Sequence, residues 1–296
     1  MKKITSLLIL ATLISASCNQ AGRKSADRTA SDSFRQFELI ELWRTDTLLL
    51  TPESALYDKT RDVIYVSDMN NEPRIKDNNG FISKVGTDGK FIDLHWVDGL
   101  SSPKGLAVVA DTLFAADVDE VVAIDINKGE IIRKISLPGM KMLNDITSAP
   151  DGSIYISDTD ANIIYRYSNG IISEWLKEGL NGPNGLLYDD NRLLVASQGS
   201  NDFATVDLET KTRKVVTEGV NHGDGIAFTG TEGYYLVSDW GGEVFIINPD
   251  FSKVSVLNTK EQEVNSADID YIPEMKMLLV PTFYKNCIVA YRLTER

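Results

Sequence analysis

The chain has 296 residues, 43% of them hydrophobic and 25% charged, an ordinary globular composition that excludes a collagen, a coiled coil or a mostly disordered chain. Lys and Arg number 30 against 43 Asp and Glu, a formal net charge of −13, which denies the chain the basic character of a duplex-binding protein and predicts no nucleic-acid partner. With two cysteines, Cys18 and Cys287, and two histidines, His95 and His222, a disulfide framework, a thiolate metal cluster and a His-rich zinc site are excluded.

Lys2 and Lys3 open the chain, and residues 4–16 form an apolar stretch too short to span a bilayer as a stable helix. Ser15, Ala16 and Ser17 before Cys18 resemble the lipobox of bacterial lipoproteins, with Ser15 where Leu is usual. The resemblance implies a signal peptide over 1–17, cleavage before Cys18 and acylation of its thiol and amine. The protein would then be lipid-anchored in a bacterial cell envelope, at the periplasmic face or the outer membrane; secretion without lipid is the alternative. Residues 18–35 are small and polar and read as a flexible tether. No later segment has the length and apolarity of a membrane span, so the lipid would be the one membrane contact.

Residues 36–296 repeat one unit. Lys104-Gly105-Leu106, Asn144-Asp145-Ile146, Asn184-Gly185-Leu186 and Asp224-Gly225-Ile226 follow one another at intervals of 40 residues. Glu53 extends the series 51 residues upstream and Ala267 extends it 43 downstream, which makes six repeats. Each continues with an apolar run ending in a short polar group, at 63–68, 113–117, 154–158, 193–197, 234–239 and 277–281. Third and fourth runs follow, such as 121–124 and 132–135. The runs are short, β-branched and aromatic, and separated by Asp-Gly or Asn-Gly turns. Four strands in about 40 residues is a propeller blade, so the predicted fold is an all-β, six-bladed β-propeller. The sixth repeat supplies three strands, and the run 37–42 ahead of the first repeat is predicted to complete it and close the ring. A closed ring needs no partner surface, and a monomer is expected. Extra polar residues in the first repeat, 70–80, form a loop over one face.

Equivalent positions in a six-fold ring face the same axial region, so Glu53, Lys104, Asn144, Asn184, Asp224 and Ala267 are predicted to converge at the central channel. Two carboxylates and two carboxamides there supply oxygen ligands suited to a hard cation such as Ca2+. Asn, Asp and Gly before a strand are also ordinary turn formers, whereas Glu53 has no such local reason. Asp68, Asp117, Asp158 and Asp239 recur after the same strand and are read as acceptors of backbone N–H groups. Trp96, Trp175 and Trp240 are read as packing. Cys287, inside an apolar run, is read as a buried small hydrophobe.

Glu53 in repeat one, Asn144-Asp145 in repeat three, Pro183-Asn184-Gly185 in repeat four and Asp224-Gly225 in repeat five resemble the regucalcin/gluconolactonase family over nearly the whole of the propeller segment. The family is one of six-bladed propellers with a divalent ion in the channel, many of them lactonases. The resemblance implies Glu53, Asn184 and Asp224 as metal ligands, with Asn144 completing the site directly or through substrate or water. It also implies a lactone or ester substrate and an ion that polarises its carbonyl. Two departures stand out. The first motif reads Glu53-Ser54-Ala55 where the family has Glu-Gly-Pro. Met142 stands where sugar-lactone members carry Arg, which argues against gluconolactone.

Asp224 is the first candidate for general base and His222 the second, a solvated loop histidine being the alternative for His222. Lys104 is the candidate to hold a substrate carboxylate, a lysine snorkelled at the rim being the alternative. The second function class is a non-catalytic, envelope-anchored propeller that binds a ligand or protein, with a structural ion or none.

Overall fold

The computed structural model describes residues 37–70 and 72–295. The predicted signal segment, the tether and Cys18 lie outside the described residues. β1 (Phe37–Arg44) comes first in the chain, and the next five sets of four strands each form one antiparallel sheet in chain order. Blade one is β2 (Pro52–Asp58), β3 (Val63–Asp68), β4 (Gly80–Val85) and β5 (Phe91–Leu100). Blade two is β6 (Pro103–Val109), β7 (Thr112–Asp117), β8 (Glu120–Asp125) and β9 (Glu130–Ile135). Blade three is β10 (Leu143–Ser148), β11 (Ile154–Asp158), β12 (Ile163–Ser168) and β13 (Ile171–Leu176). Blade four is β14 (Pro183–Asp189), β15 (Arg192–Ser197), β16 (Asp202–Asp207) and β17 (Arg213–Glu218). Blade five is β18 (Gly223–Phe228), β19 (Tyr235–Asp239), β20 (Glu243–Ile247) and β21 (Lys253–Asn258). Blade six is β22 (Asp270–Ile272), β23 (Met277–Pro281) and β24 (Ile288–Glu295), with β1 as its outer strand. The fold is the expected six-bladed propeller. Its ring closes where β1 pairs with β24, from Phe37 opposite Glu295 to Arg44 opposite Val289. Among the described residues no helix is long and apolar enough to cross a membrane.

Burial explains why the second strands read as continuous apolar runs. Every residue of β3, β11, β19 and β23 is buried, because blades stack face to face and leave those strands no wet side. Outer strands such as β9 and β13 are mostly exposed or half-buried and carry charge. Six apolar clusters fill the gaps between neighbouring blades, one to each gap, and a small seventh joins Met69, Ala267 and Phe283. Each fully buried Leu or Ile there contributes about 1.5–3 kcal/mol. The turn from β12 to β13 is Asn169-Gly170, both with positive φ (52° and 81°), the backbone that a two-residue hairpin requires.

Three short devices are repeated around the axis. The first is a register shift between first and second strands in blades one to five, which falls across Glu53, Lys104, Asn144, Asn184 and Asp224. A bulge at these positions frees the side chain from the blade and turns it to the channel. The second is the terminal aspartate of the second strand in blades one to three. Asp68 accepts the N–H of Leu50, Asp117 those of Ser101 and Ser102, and Asp158 those of Lys141 and Met142. Each clamps the backbone two or three residues ahead of a channel residue. In blade five, Asp239 instead accepts from Gly241 and pairs with Lys260. The third is the serine before that aspartate. Ser157 and Ser238 accept an N–H from their own inner strand and donate to Asn184 O and Ala267 O of the next blade, each at 2.7 Å. Cys287 is buried and unpaired.

Candidate metal and substrate site

The six ring positions are nearly closed to solvent, and the sixth, Ala267, packs against Met69 and Phe283 and does not line the channel cavity. Exposure is 4% for Glu53, 2% for Lys104, 5% for Asn144, 3% for Asn184 and for Asp224, and 0% for Ala267. The first five line one cavity of about 570 Å3, together with Met142 and the exposed His222. The residues expected to carry chemistry are therefore brought together in one place.

Their hydrogen bonding is incomplete in a particular way. Glu53 Oε2, Asn184 Oδ1 and Asp224 Oδ1 are buried oxygens with no hydrogen-bond partner. Buried polar atoms are otherwise almost always paired. The Asn184 side chain hydrogen-bonds Asp224; with a carboxylate as acceptor, the amide nitrogen must face it, which leaves Asn184 Oδ1 for the cavity. Asn144 is oriented by a different route. Thr159 Oγ1 donates its one proton to Pro183 O at 2.8 Å, so it accepts from Asn144 Nδ2 at 3.1 Å. That fixes the amide with its oxygen free. Four oxygens of two carboxylates and two amides are a donor set of the kind a hard cation takes. Among the described residues no group of three or more His, Cys, Asp and Glu is arranged to hold a metal, so a site here needs the two amides.

Charge points the same way. Burial, and next the charge of Asp224, push the Glu53 carboxyl well above its usual range. Burial and Asp268 do the same to Asp224. A second ring lies one residue on: Ser54, Gly105, Asp145, Gly185, Gly225 and Asp268. Asp145 is pushed well up by burial and by Asp268, and Asp268 is pushed up to about 7 by burial against the hydrogen bond from Ser54. The glycines are there because neighbouring blades touch: a Cβ at Gly185 would overlap the carbonyl oxygen of Asp224, and one at Gly105 or Gly225 would overlap Asp145 or Asp268. Four buried carboxyls thus surround the axis. Lys104 faces Glu53 among them, and burial lowers its ammonium to about 8 against the pull of Glu53 and Asp117. Its Nζ donates to Ser102 O at 2.9 Å. Lys104 is wholly buried, which removes the expectation of a lysine snorkelled at the rim.

The cavity also contains residues that the sequence did not single out. Pro73 and Arg74 reach it from the 70–80 loop. That loop is pinned across the face by Arg74 to Asp160 at 3.0 Å and Lys76 to Asp119 at 2.5 Å. Both ion pairs are exposed and contribute about 0–1 kcal/mol each. Trp240, expected as packing, is half-buried and lines the cavity with Phe283 and Tyr284.

No family model matches the chain, and no curated protein matches it. Solved structures of low identity do share its fold. A catalytically inactive virginiamycin B lyase from Staphylococcus aureus, solved with quinupristin, is 13% identical with a TM-score of 0.62, over 88% of this chain and 100% of that one. A protein assigned as a gluconolactonase within its protein family is 19% identical with a TM-score of 0.63, over 88% and 93%. A structural-genomics protein of unknown function from Bacteroides thetaiotaomicron is 9% identical with a TM-score of 0.67, over 88% and 76%. At these identities the likeness extends to the propeller, and any shared chemistry has to be argued from the channel itself.

Proposed function

We propose that the protein is a divalent-cation-dependent hydrolase of a lactone or ester, working in the central channel. The observation that carries this reading is the set of three buried, unpartnered oxygens on Glu53, Asn184 and Asp224. Those residues would hold the ion, Ca2+ by its preference for such oxygens, with Asn144 completing the set. When bound, the ion supplies Lewis-acid polarisation of a carbonyl. The chain's own residues do the rest. Water adds its oxygen to the acyl carbon while Asp224 or His222 takes its proton. The acyl C–O bond then breaks, and that proton passes to the leaving oxygen, giving an alcohol and a carboxylic acid that releases its own proton to water. Asp224 is first for this role; because its free oxygen also serves as a ligand, the exposed His222 at the mouth is second. Lys104 holds a carboxylate of the substrate. Met142 gives its part of the wall no hydrogen-bonding arm, which disfavours sugar lactones. The protein works as a monomer, lipid-anchored through Cys18 in a bacterial cell envelope.

A panel of lactones and esters tests this, with calcium and with chelator. Turnover abolished by chelation and by Asp224→Asn is the expected result. Calcium at 100 times its Kd should stabilise the fold by about 2.7 kcal/mol, or about 5–10 °C in Tm for a domain of this size, and Glu53→Gln should remove that gain. The second reading, a binding propeller without turnover, draws on Lys104, whose buried ammonium already offsets part of the acidic charge. It predicts no hydrolysis, with calcium affecting stability alone where the ion is structural and having no effect where there is none.

A further inference from the structure

The ring order sets two unlike walls opposite one another across the channel oxygens. Lys104 comes from blade two, and Trp240, in the β19–β20 turn of blade five, lies three blades away, on the far side of a six-fold ring. Beside it stand Phe283 and Tyr284, from the β23–β24 connection of blade six. The three rings meet edge to face: Trp240 to Phe283 at 5.3 Å, Trp240 to Tyr284 at 6.0 Å and Phe283 to Tyr284 at 4.7 Å. Phe283 is buried against Met69 and Ala267 and anchors the group. Tyr284 is 63% exposed, an apolar ring at the cavity mouth. Phe283 adopts φ of 50°, a left-handed backbone unfavourable for a bulky residue, and such strain concentrates at ligand sites. The rest of the lining is mostly polar, with Asn144, Thr159, Asn162, Asn181 and Gln198 interrupted by Met142. A cavity of about 570 Å3 suits a small organic ligand held by apolar area and a few placed polar groups.

From this we infer that the site takes an amphipathic aryl carboxylate ester or lactone: a flat apolar ring lies against Trp240 and Tyr284, and an anionic group meets Lys104. The inference rests on the hydrolase reading for the scissile bond and on the two walls for the rest. Rings of this kind are large, stiff anchors whose contacts exceed their buried area in value.

The test measures binding of phenylbutyrate, butyrate and phenylbutanol to the full chain by calorimetry, in calcium. Phenylbutyrate should bind about tenfold tighter than either of the others. Tyr284→Ala and Trp240→Ala should each weaken phenylbutyrate about fivefold and leave butyrate unchanged, while Tyr284→Phe retains the affinity. Lys104→Met should weaken phenylbutyrate and leave phenylbutanol unchanged. Tyr284 is exposed, so its variants are not at risk of unfolding even where Trp240→Ala is. Equal affinity for all three probes, or phenylbutyrate binding unaffected by Tyr284→Ala, overturns the inference. Turnover separates it from the reading it rests on. If Tyr284→Ala lowers kcat/KM for dihydrocoumarin and for δ-valerolactone alike, the aryl subsite falls and the hydrolase stands. If neither lactone is turned over but the probe preferences hold, the hydrolase falls and the amphipathic site stands.

Discussion

Thr159→Val removes one hydroxyl and keeps the shape of the side chain. The hydroxyl links Asn144 Nδ2 to Pro183 O, at 3.1 and 2.8 Å, and all of it is buried. Without it an amide N–H and a carbonyl each lose a partner, and each such loss costs about 1–3 kcal/mol. The variant should lose about 2–6 kcal/mol of unfolding free energy in chelator, read from denaturant titration. A second effect is separable. Only the hydroxyl holds Asn144 with its oxygen toward the channel; in its absence the amide is free to turn its N–H groups there, facing a cation. Loss of an outer partner of a metal ligand weakens metal binding about tenfold to a hundredfold, and calcium calorimetry should read a change of that size. Thr159→Ser restores the hydroxyl and should recover most of both losses. The reasoning is refuted if the Val variant binds calcium as the wild type does, or if Ser loses as much as Val.

Gly185→Ala forces a Cβ into the Asp224 carbonyl and should cost about 3 kcal/mol or more, since backbone on both sides cannot yield; wild-type stability in denaturant would show that blades four and five are not in contact there. Asp68 is pushed up to about 8 by burial, against hydrogen bonds from Ser83 and Leu50, while an unfolded aspartate titrates near 3.8. Between those values the folded chain keeps a proton that the unfolded chain has lost, so this contribution to stability is full below about pH 4 and is lost as pH rises through about 8. Asp68→Asn can accept from Leu50 and donate to Ser83, and should flatten that slope; an unchanged slope between pH 5 and pH 8 refutes the assignment. Lys104→Met should raise KM for anionic esters about tenfold and leave neutral esters within about twofold, and equal effects on both would remove Lys104 from substrate binding.

The fold was legible because blades are local. Each 40-residue unit carries its own strands and turns, and the count of strands in the sixth repeat already required a strand from ahead of the first. The ring positions were legible because symmetry sends equivalent residues to the axis. What connects blades was harder to read. Thr159 looks like a turn residue until its hydroxyl is seen between Asn144 and Pro183, residues of two different repeats. Asp145 and Asp268 sit one residue after the aligned positions, and the signal that could have found them is that this column holds three glycines and a serine besides the two aspartates. Trp240 resembled the other blade tryptophans in sequence; only the six-residue connection before β24 brings Phe283 and Tyr284 against it. Arg74 lies in an insertion with no equivalent in other repeats, so no comparison among repeats could place it.

The pairing of β1 with β24 also sets an order in time. Blades one to five are each built from neighbouring hairpins and can form as their own residues appear. Blade six joins segments roughly 250 residues apart, and closing a loop of that length costs about 5 kcal/mol of chain entropy. Until residues 288–295 arrive, the gaps flanking blade six lack one wall, and the apolar residues of blades one and five that later fill those gaps stay wet. Ring closure is therefore the late, non-local step of folding, and the interval before it is when the chain is most open to misassembly. The channel shares that schedule, because the backbone of Glu53 in blade one is held by Asp268, whose N–H donates to Glu53 O from blade six: the site is complete only once the last blade is in place.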